Sequence, residues 1–156
     1  LESIEHTGRE ALQDIHRFLQ LLSEPAGDPP GIAHLDALVD SLRRHGLDVR
    51  MDLATERPVP PSISTAVYRV VQEGLTNAVR HSDATAATVA VRTDARQVVA
   101  AVDSTGSPRD SGIPGSGRGL VGLRERLSAF GGSLDSSATA DGWRLEARIP
   151  LPEGSR

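Results

Sequence analysis

The sequence contains no cysteine and no lysine; all 17 of its basic residues are arginine. Without cysteine there can be no disulfide, thiolate zinc site or cysteine nucleophile, and the composition suits a reducing compartment. Without lysine, neither a Walker-type P-loop nor a Schiff-base enzyme can be built. Aromatic residues make up only 3% of the chain, so a core must come from leucine, valine, isoleucine and alanine. No apolar run approaches the length of a membrane span, and no signal-peptide pattern is present. Excess positive charge is missing too. Seventeen basic against 21 acidic residues leave a formal charge of −4, which argues against direct nucleic-acid binding or adhesion to a membrane surface.

The 156 residues suffice for one domain of ordinary size. The chain begins at Leu1, inside a helical pattern, and so reads as a piece of something longer. Over 2–23, Ala11, Ile15, Phe18 and Leu22 recur at 4-3-4 spacing, with charges at the other positions. Such a heptad-like seam packs on its own domain or on a partner helix, and partnering with an upstream helical module is favoured. The Pro/Gly-rich stretch 24–31 separates this helix from the rest of the chain.

After Gly31, Ile32, Leu35, Leu38, Val39 and Leu42 form a second helical stripe, stopped by Gly46. Alternation from Leu47 to Leu53 predicts a half-buried strand. A turn at Arg57-Pro-Val-Pro-Pro61 leads into a long helix over about 62–82, marked by Ile63, Val67, Val70, Val71, Leu75 and Ala78. Two strands over 85–93 and 97–103 share a short turn, and a Gly/Ser/Pro-rich loop covers 104–117. A helix over 119–130, a short strand near 133–137 and a strand over 142–150 complete the order. Strands joined by tight turns, with helices collected on one face, predict an α+β fold: a two-layer α/β sandwich with a mixed sheet, preceded by a long helix.

Three features carry chemistry. The long helix interrupts its apolar pattern at Glu73, Asn77, Arg80 and His81. At 100° per residue these four share one stripe, which can hold a hydrated Mg²⁺ and its phosphates or be an ordinary solvated face. The glycines Gly115, Gly117, Gly119 and Gly122 lie at the start of a helix, where free N–H groups favour an anion; a flexible turn is the plainer reading. A Rossmann fingerprint fails on context, since it must directly follow a strand and open a βαβ unit. At Val102-Asp-Ser-Thr-Gly106 a carboxylate at a strand end can accept a hydrogen bond from an exocyclic amine such as adenine's, or merely cap the turn.

The order of these features resembles the ATP-binding domain of sensor histidine kinases, within the gyrase/Hsp90/histidine-kinase/MutL superfamily. Val70–His81 looks like that family's asparagine box, Asp103–Gly106 its first glycine box, and Gly117–Arg126 its second. The short intervening loop and the wording Gly-Leu-Val-Gly-Leu-Arg-Glu-Arg resemble the subfamily paired with response regulators carrying a LuxR-type DNA-binding domain. The resemblance implies a Bergerat-type ATP-binding fold over 32–151, with 25–31 as linker and 152–156 as tail. It implies that 1–24 is the distal part of the second helix of a dimerisation and phosphoacceptor module. Loop 107–116 would be the ATP lid.

By the same resemblance Asn77 would ligate Mg²⁺, and Glu73 would be the polar or general-base residue beside it. Arg80 and His81 would approach the phosphates of ATP, and Asp103 would read adenine. Gly117, Gly119, Leu120 and Gly122 would shape the lid hinge and phosphate pocket. The parent would be a homodimeric protein-histidine kinase, its cytoplasmic catalytic part attached to a membrane-anchored protein.

Three departures stand out. The family's first glycine box reads Asp-x-Gly, whereas Gly106 here follows Asp103 by three residues. If Gly106 keeps register, Ser104 occupies the adenine-reading position, as the alternation Val98, Ala100, Val102, Ser104 supports; Asp103 with a shifted loop is the preferred expectation. Where the family often has Gly-Thr near the last strand, this chain has Gly142-Trp143. None of the histidines 6, 16, 34, 45 and 81 has the acidic successor of a phosphoacceptor, so the acceptor is expected upstream. Two alternatives stay open: an interaction module with impaired ATP binding, and an anti-sigma-factor serine kinase of the same fold.

Overall fold

A computed structural model describes residues 27–107 and 116–153, the side chains of His81, Ser116 and Gly117 excepted. The expected helix over 2–23, most of the lid loop and the end of the tail lie outside the described residues.

A 3-10 turn at Ile32–His34 leads into α1 (Leu35–Arg44). Leu35, Leu38, Val39 and Leu42 put one apolar stripe of α1 into the core. Gly46, at φ +97°, reverses the chain as a left-handed helix end, and the Leu47 amide returns to the Leu42 carbonyl at 3.1 Å. Strand β1 (Asp48–Ala54) follows. Pro61 occupies the first turn of α2 (Pro61–His81), where its missing N–H is no loss. The Ser64 hydroxyl on α2 accepts a hydrogen bond from the Ile32 amide at 2.8 Å, fixing where the chain enters the domain. Strands β2 (Ala86–Thr93) and β3 (Gln97–Thr105) form a hairpin, Asp94 accepting the amides of Arg96 and Gln97 at its turn. Helix α3 (Ser116–Ser128), β4 (Ser133–Ala138) and β5 (Gly142–Pro150) complete the described fold.

The five strands are ordered β1-β2-β3-β5-β4. Strands β1 and β2 are parallel; the other three pairings are antiparallel, so the sheet is mixed as expected. One face carries the core: Val89 and Val91 of β2, Val98, Ala100 and Val102 of β3, and Leu145, Ala147 and Ile149 of β5 are all buried. Facing them are Val67, Val70, Val71 and Leu75 of α2 and Leu123 and Leu127 of α3. Each such side chain contributes roughly 1.5–3 kcal/mol on burial. The other face is polar. There Arg144 bridges Asp103 and Glu146, and Arg148 also reaches Glu146.

Two expectations need correction. In β1 only Val49 is fully buried, and Leu53 is 38% exposed; as an edge strand, β1 outruns the cover of α1. Helix α3 starts at Ser116, not Gly119. Glycines read as breakers in isolation, but here close packing on α2 overrides local propensity.

Candidate active site

The site follows from how tightly α2 lies on β3. A Cβ built on Gly74 would stand 2.8 Å from Cβ and Cγ2 of Val102, so the helix approaches the strand at a position only glycine permits. From that contact α2 and β3 run the same way. At their far ends the Ser107 amide donates to Asp83 Oδ1 at 2.6 Å and the Asp83 amide to the Ser107 carbonyl at 3.3 Å. Gly106, at φ +110°, makes this junction possible; a side chain there would also strike Asp83 and the Ala84 amide.

Relative to Gly74, helical geometry turns Glu73, Asn77 and Arg80 toward one flank of α2, roughly 60–120° from the line of contact with the sheet. Helix α3 faces that flank. A Cβ on Gly119 would run into the Glu73 carboxylate, so the first turn of α3 sits directly against the acidic group. Glu73 and Asn77 are half-buried. Desolvation draws the Arg80 guanidinium below its ordinary pKa, and the nearby Glu73 carboxylate opposes this. The backbone of His81 ends α2. Leu120 packs against the core, and Gly122, with open space about it, lies one turn along α3.

The two candidates at the end of β3 part company. Asp103 faces away from the helices: its carboxylate takes Arg144 Nη1 at 2.5 Å, and Arg144 Nη2 donates to Glu146 at 2.6 Å. Ser104 faces the helices, on the side of Val102, and is 6% exposed. Preference for Asp103 is therefore corrected in one physical respect: the strand's alternation puts that carboxylate on the opposite face from Glu73 and Asn77.

Two features escaped the sequence reading. One is Asp83 as the clamp between α2 and the segment leaving β3; a Ser-Asp pair after a helix was the only available signal. The other is the pairing of Trp143 with Ser104 across β5 and β3, which depends on register and not on any motif.

Among the described residues no group of three or more His, Asp or Glu side chains gathers as a metal site. The donors on the stripe are one amide oxygen and one carboxylate. That set fits Mg²⁺, which keeps several waters and binds through one or two protein oxygens plus phosphates. A separate groove of about 350 Å³, lined by Thr65, Ala66, Arg69, Leu123 and Phe130, lies toward the opposite end of α2 from Asn77.

No protein-family model matches the chain. It is 31% identical over 155 residues to the sensor histidine kinase YxjM of Bacillus subtilis, covering 97% of this chain and 37% of that protein. It is 33% identical over 156 residues to the sensor histidine kinase NarS of Mycobacterium tuberculosis, covering 97% of this chain and 35% of that protein. The crystal structure of the ATP binding domain of PrrB from M. tuberculosis superposes with a TM-score of 0.53 at 24% identity, covering 79% of this chain and 96% of that one. Over nearly its whole length the chain is similar to sensor histidine kinases.

The segment that resembles the asparagine box forms the second half of α2, the one that resembles the first glycine box the end of β3, and the one that resembles the second glycine box most of α3. The α+β fold with its mixed five-stranded sheet is the fold of the family's ATP-binding domains. The domain spans little more than a third of the length of YxjM and NarS. No helix among the described residues is long and apolar enough to cross a membrane.

Proposed function

We propose that this domain binds Mg-ATP between α2, the end of β3 and the start of α3, and presents the γ-phosphoryl to a histidine elsewhere in a longer kinase. The observation that carries the reading is the alignment of Glu73, Asn77 and Arg80 on the one flank of α2 that meets the first turn of α3 at Gly119. Phosphoryl transfer needs positioning and charge neutralisation more than covalent chemistry, and this flank offers both.

In this reading the Asn77 amide oxygen would hold Mg²⁺, with the Glu73 carboxylate on the same flank. Once bound, the metal neutralises charge on the phosphates. Asn77 suits that role because an amide adds no negative charge to repel them. Arg80 and His81 approach the phosphate oxygens. Glu73 takes up the proton released when an imidazole nitrogen bonds to the γ-phosphorus and the bond to the ADP oxygen breaks. Gly106, Gly117, Gly119, Leu120 and Gly122 let backbone and helix end approach the nucleotide closely. Ser104 is the group that faces the base.

The rest of the assembly follows the family pattern. Residues 1–24 form the distal part of the second helix of a phosphoacceptor module, 25–31 the linker, and 32–151 the catalytic domain. The parent is a homodimer that passes the phosphoryl to an aspartate of a response regulator of the LuxR-type class, its catalytic part lying in the cytoplasm and attached to a membrane-anchored protein. Mixing this chain with the helical module of its parent and [γ-³²P]ATP tests the reading. Label should appear on the module's histidine and not on this chain. Label on His6 or His16 would overturn the domain boundary, label on a serine of an added anti-sigma antagonist would favour a serine kinase, and no transfer with no nucleotide bound would leave an interaction module.

A further inference from the structure

We infer that the base-recognition wall of this domain discriminates poorly between adenine and guanine, so that it takes guanosine triphosphate as well as ATP. This rests on the nucleotide-binding reading above and specifies its substrate class.

The first argument is which face of β3 each side chain occupies. Val102 meets α2 at Gly74, and Ser104, two residues on, projects from the same face. The Asp103 carboxylate is committed to Arg144 on the opposite face. The second argument is level. From Gly74 to Ala78 the helix climbs about 6 Å. From Val102 to Ser104 the strand advances about 6.6 Å. Because the two elements run together until Asp83 meets Ser107, Ser104 stands beside the Asn77–Ala78 turn. A nucleotide whose phosphates reach Asn77 and Arg80 therefore has Ser104, and not Asp103, as the nearest strand-end polar side chain.

The third argument is chemistry. An ionised carboxylate only accepts hydrogen bonds, so it would welcome adenine's exocyclic amine and repel the O6 acceptor of guanine. A serine hydroxyl accepts or donates by rotating. Among the described residues the Ser104 hydroxyl donates to the Trp143 carbonyl, at 3.5 Å, the outer limit of a hydrogen bond, a contact too weak to fix its direction. Trp143 pairs with Ser104 in the antiparallel register and shares its face of the sheet, half-buried. An indole offers a stacking surface that every base accepts equally. Gly142 adds no side chain beside it, since a Cβ there would collide with the Ser104 carbonyl. The wall thus consists of a two-way hydroxyl and an unselective ring.

The chain has a single tryptophan, so Trp143 fluorescence reports binding at this wall. Titrate the chain, with Mg²⁺ present, with ATP, GTP and purine riboside triphosphate, which lacks the exocyclic amine, checking each by calorimetry. The three affinities should agree within about tenfold, the lower bound of what one well-made base contact discriminates. Ser104→Asp should then weaken GTP and widen the ATP-to-GTP ratio by roughly 10-fold or more. Wild-type preference for ATP beyond about a hundredfold over both analogues would overturn the inference while leaving the nucleotide site intact. An unchanged ratio in folded Ser104→Asp would overturn it as well. If no triphosphate binds the wild-type chain, the underlying nucleotide reading falls, and this inference with it. Should Ser104→Asp fail to fold, the analogue series on the wild-type chain decides alone.

Discussion

Replacing Gly74 with alanine probes the contact on which the site is built. In a helix interior this change ordinarily gains about 1 kcal/mol in helix propensity. Here the new Cβ would meet Val102 Cβ and Cγ2 at 2.8 Å and Cγ1 at 3.1 Å. Comfortable carbon–carbon separation is about 3.5–4.0 Å, so the shortfall approaches an ångström. Val102 is fully buried and its Cβ is fixed to the strand, so no flexible tip can swing aside. Overpacking costs about 1–3 kcal/mol, and the rigidity of this neighbour argues for the upper half. The net expectation is a loss of about 1–2 kcal/mol, or about 2–8 °C in Tm for a chain of this size. Urea and thermal unfolding would measure it. Val102→Ala alone should cost about 1.5 kcal/mol or more in lost burial. The double variant should cost at least about 0.5 kcal/mol less than the sum, because it removes the clash. Because Asn77 rides on the same helix, Gly74→Ala should also weaken Mg-ATP binding, and the double variant should regain part of it. A Gly74→Ala chain as stable as wild type, or strict additivity in the cycle, would refute this packing of helix on strand.

Other outcomes follow from the same geometry. Asp103→Ala should leave Mg-ATP affinity unchanged and cost about 0–1 kcal/mol of stability, since its pair with Arg144 is substantially exposed and Arg144 keeps Glu146; a large loss of affinity would return Asp103 to the site. Gly119→Ala should push the Glu73 carboxylate aside, slowing phosphoryl transfer more than it weakens nucleotide binding, as a comparison of kcat with Kd would show. The Glu146 carboxyl is held below its ordinary pKa of 4.5, chiefly by its hydrogen bond from Arg144 and further by Arg148, against partial burial. A depressed folded-state pKa contributes stability above the unfolded value and loses it as pH falls through the folded one, so stability should drop below pH 4.5 and drop less in Glu146→Gln.

Much of the fold was legible in the residues. Periodicity placed every described helix and strand within a few positions, because Leu38/Leu42, Val67/Val71 and the alternation Val98–Ala100–Val102 each bury one continuous face. The stripe Glu73-Asn77-Arg80 was visible because helical phase alone brings those residues together. Features that stayed hidden depend on contacts between elements. Nothing local says that Gly119 belongs to a helix turn pressed on Glu73, or that Leu53 lies beyond the cover of α1. The alternation did point to Ser104. The weight given to Asp103 came from its charge, and only the partner strand, with Arg144 and Trp143 in register, shows which face that charge occupies.

The central claim is that the flank of α2 bearing Asn77 cradles a magnesium-bound nucleotide. Titrating wild-type and Asn77→Ala chains with ATP by calorimetry, with and without Mg²⁺, tests it most directly. The account predicts that wild type binds more tightly when Mg²⁺ is present and that Asn77→Ala loses about tenfold or more of that affinity along with most of the metal dependence. Equal affinities in the two chains, with equal response to Mg²⁺, would contradict it.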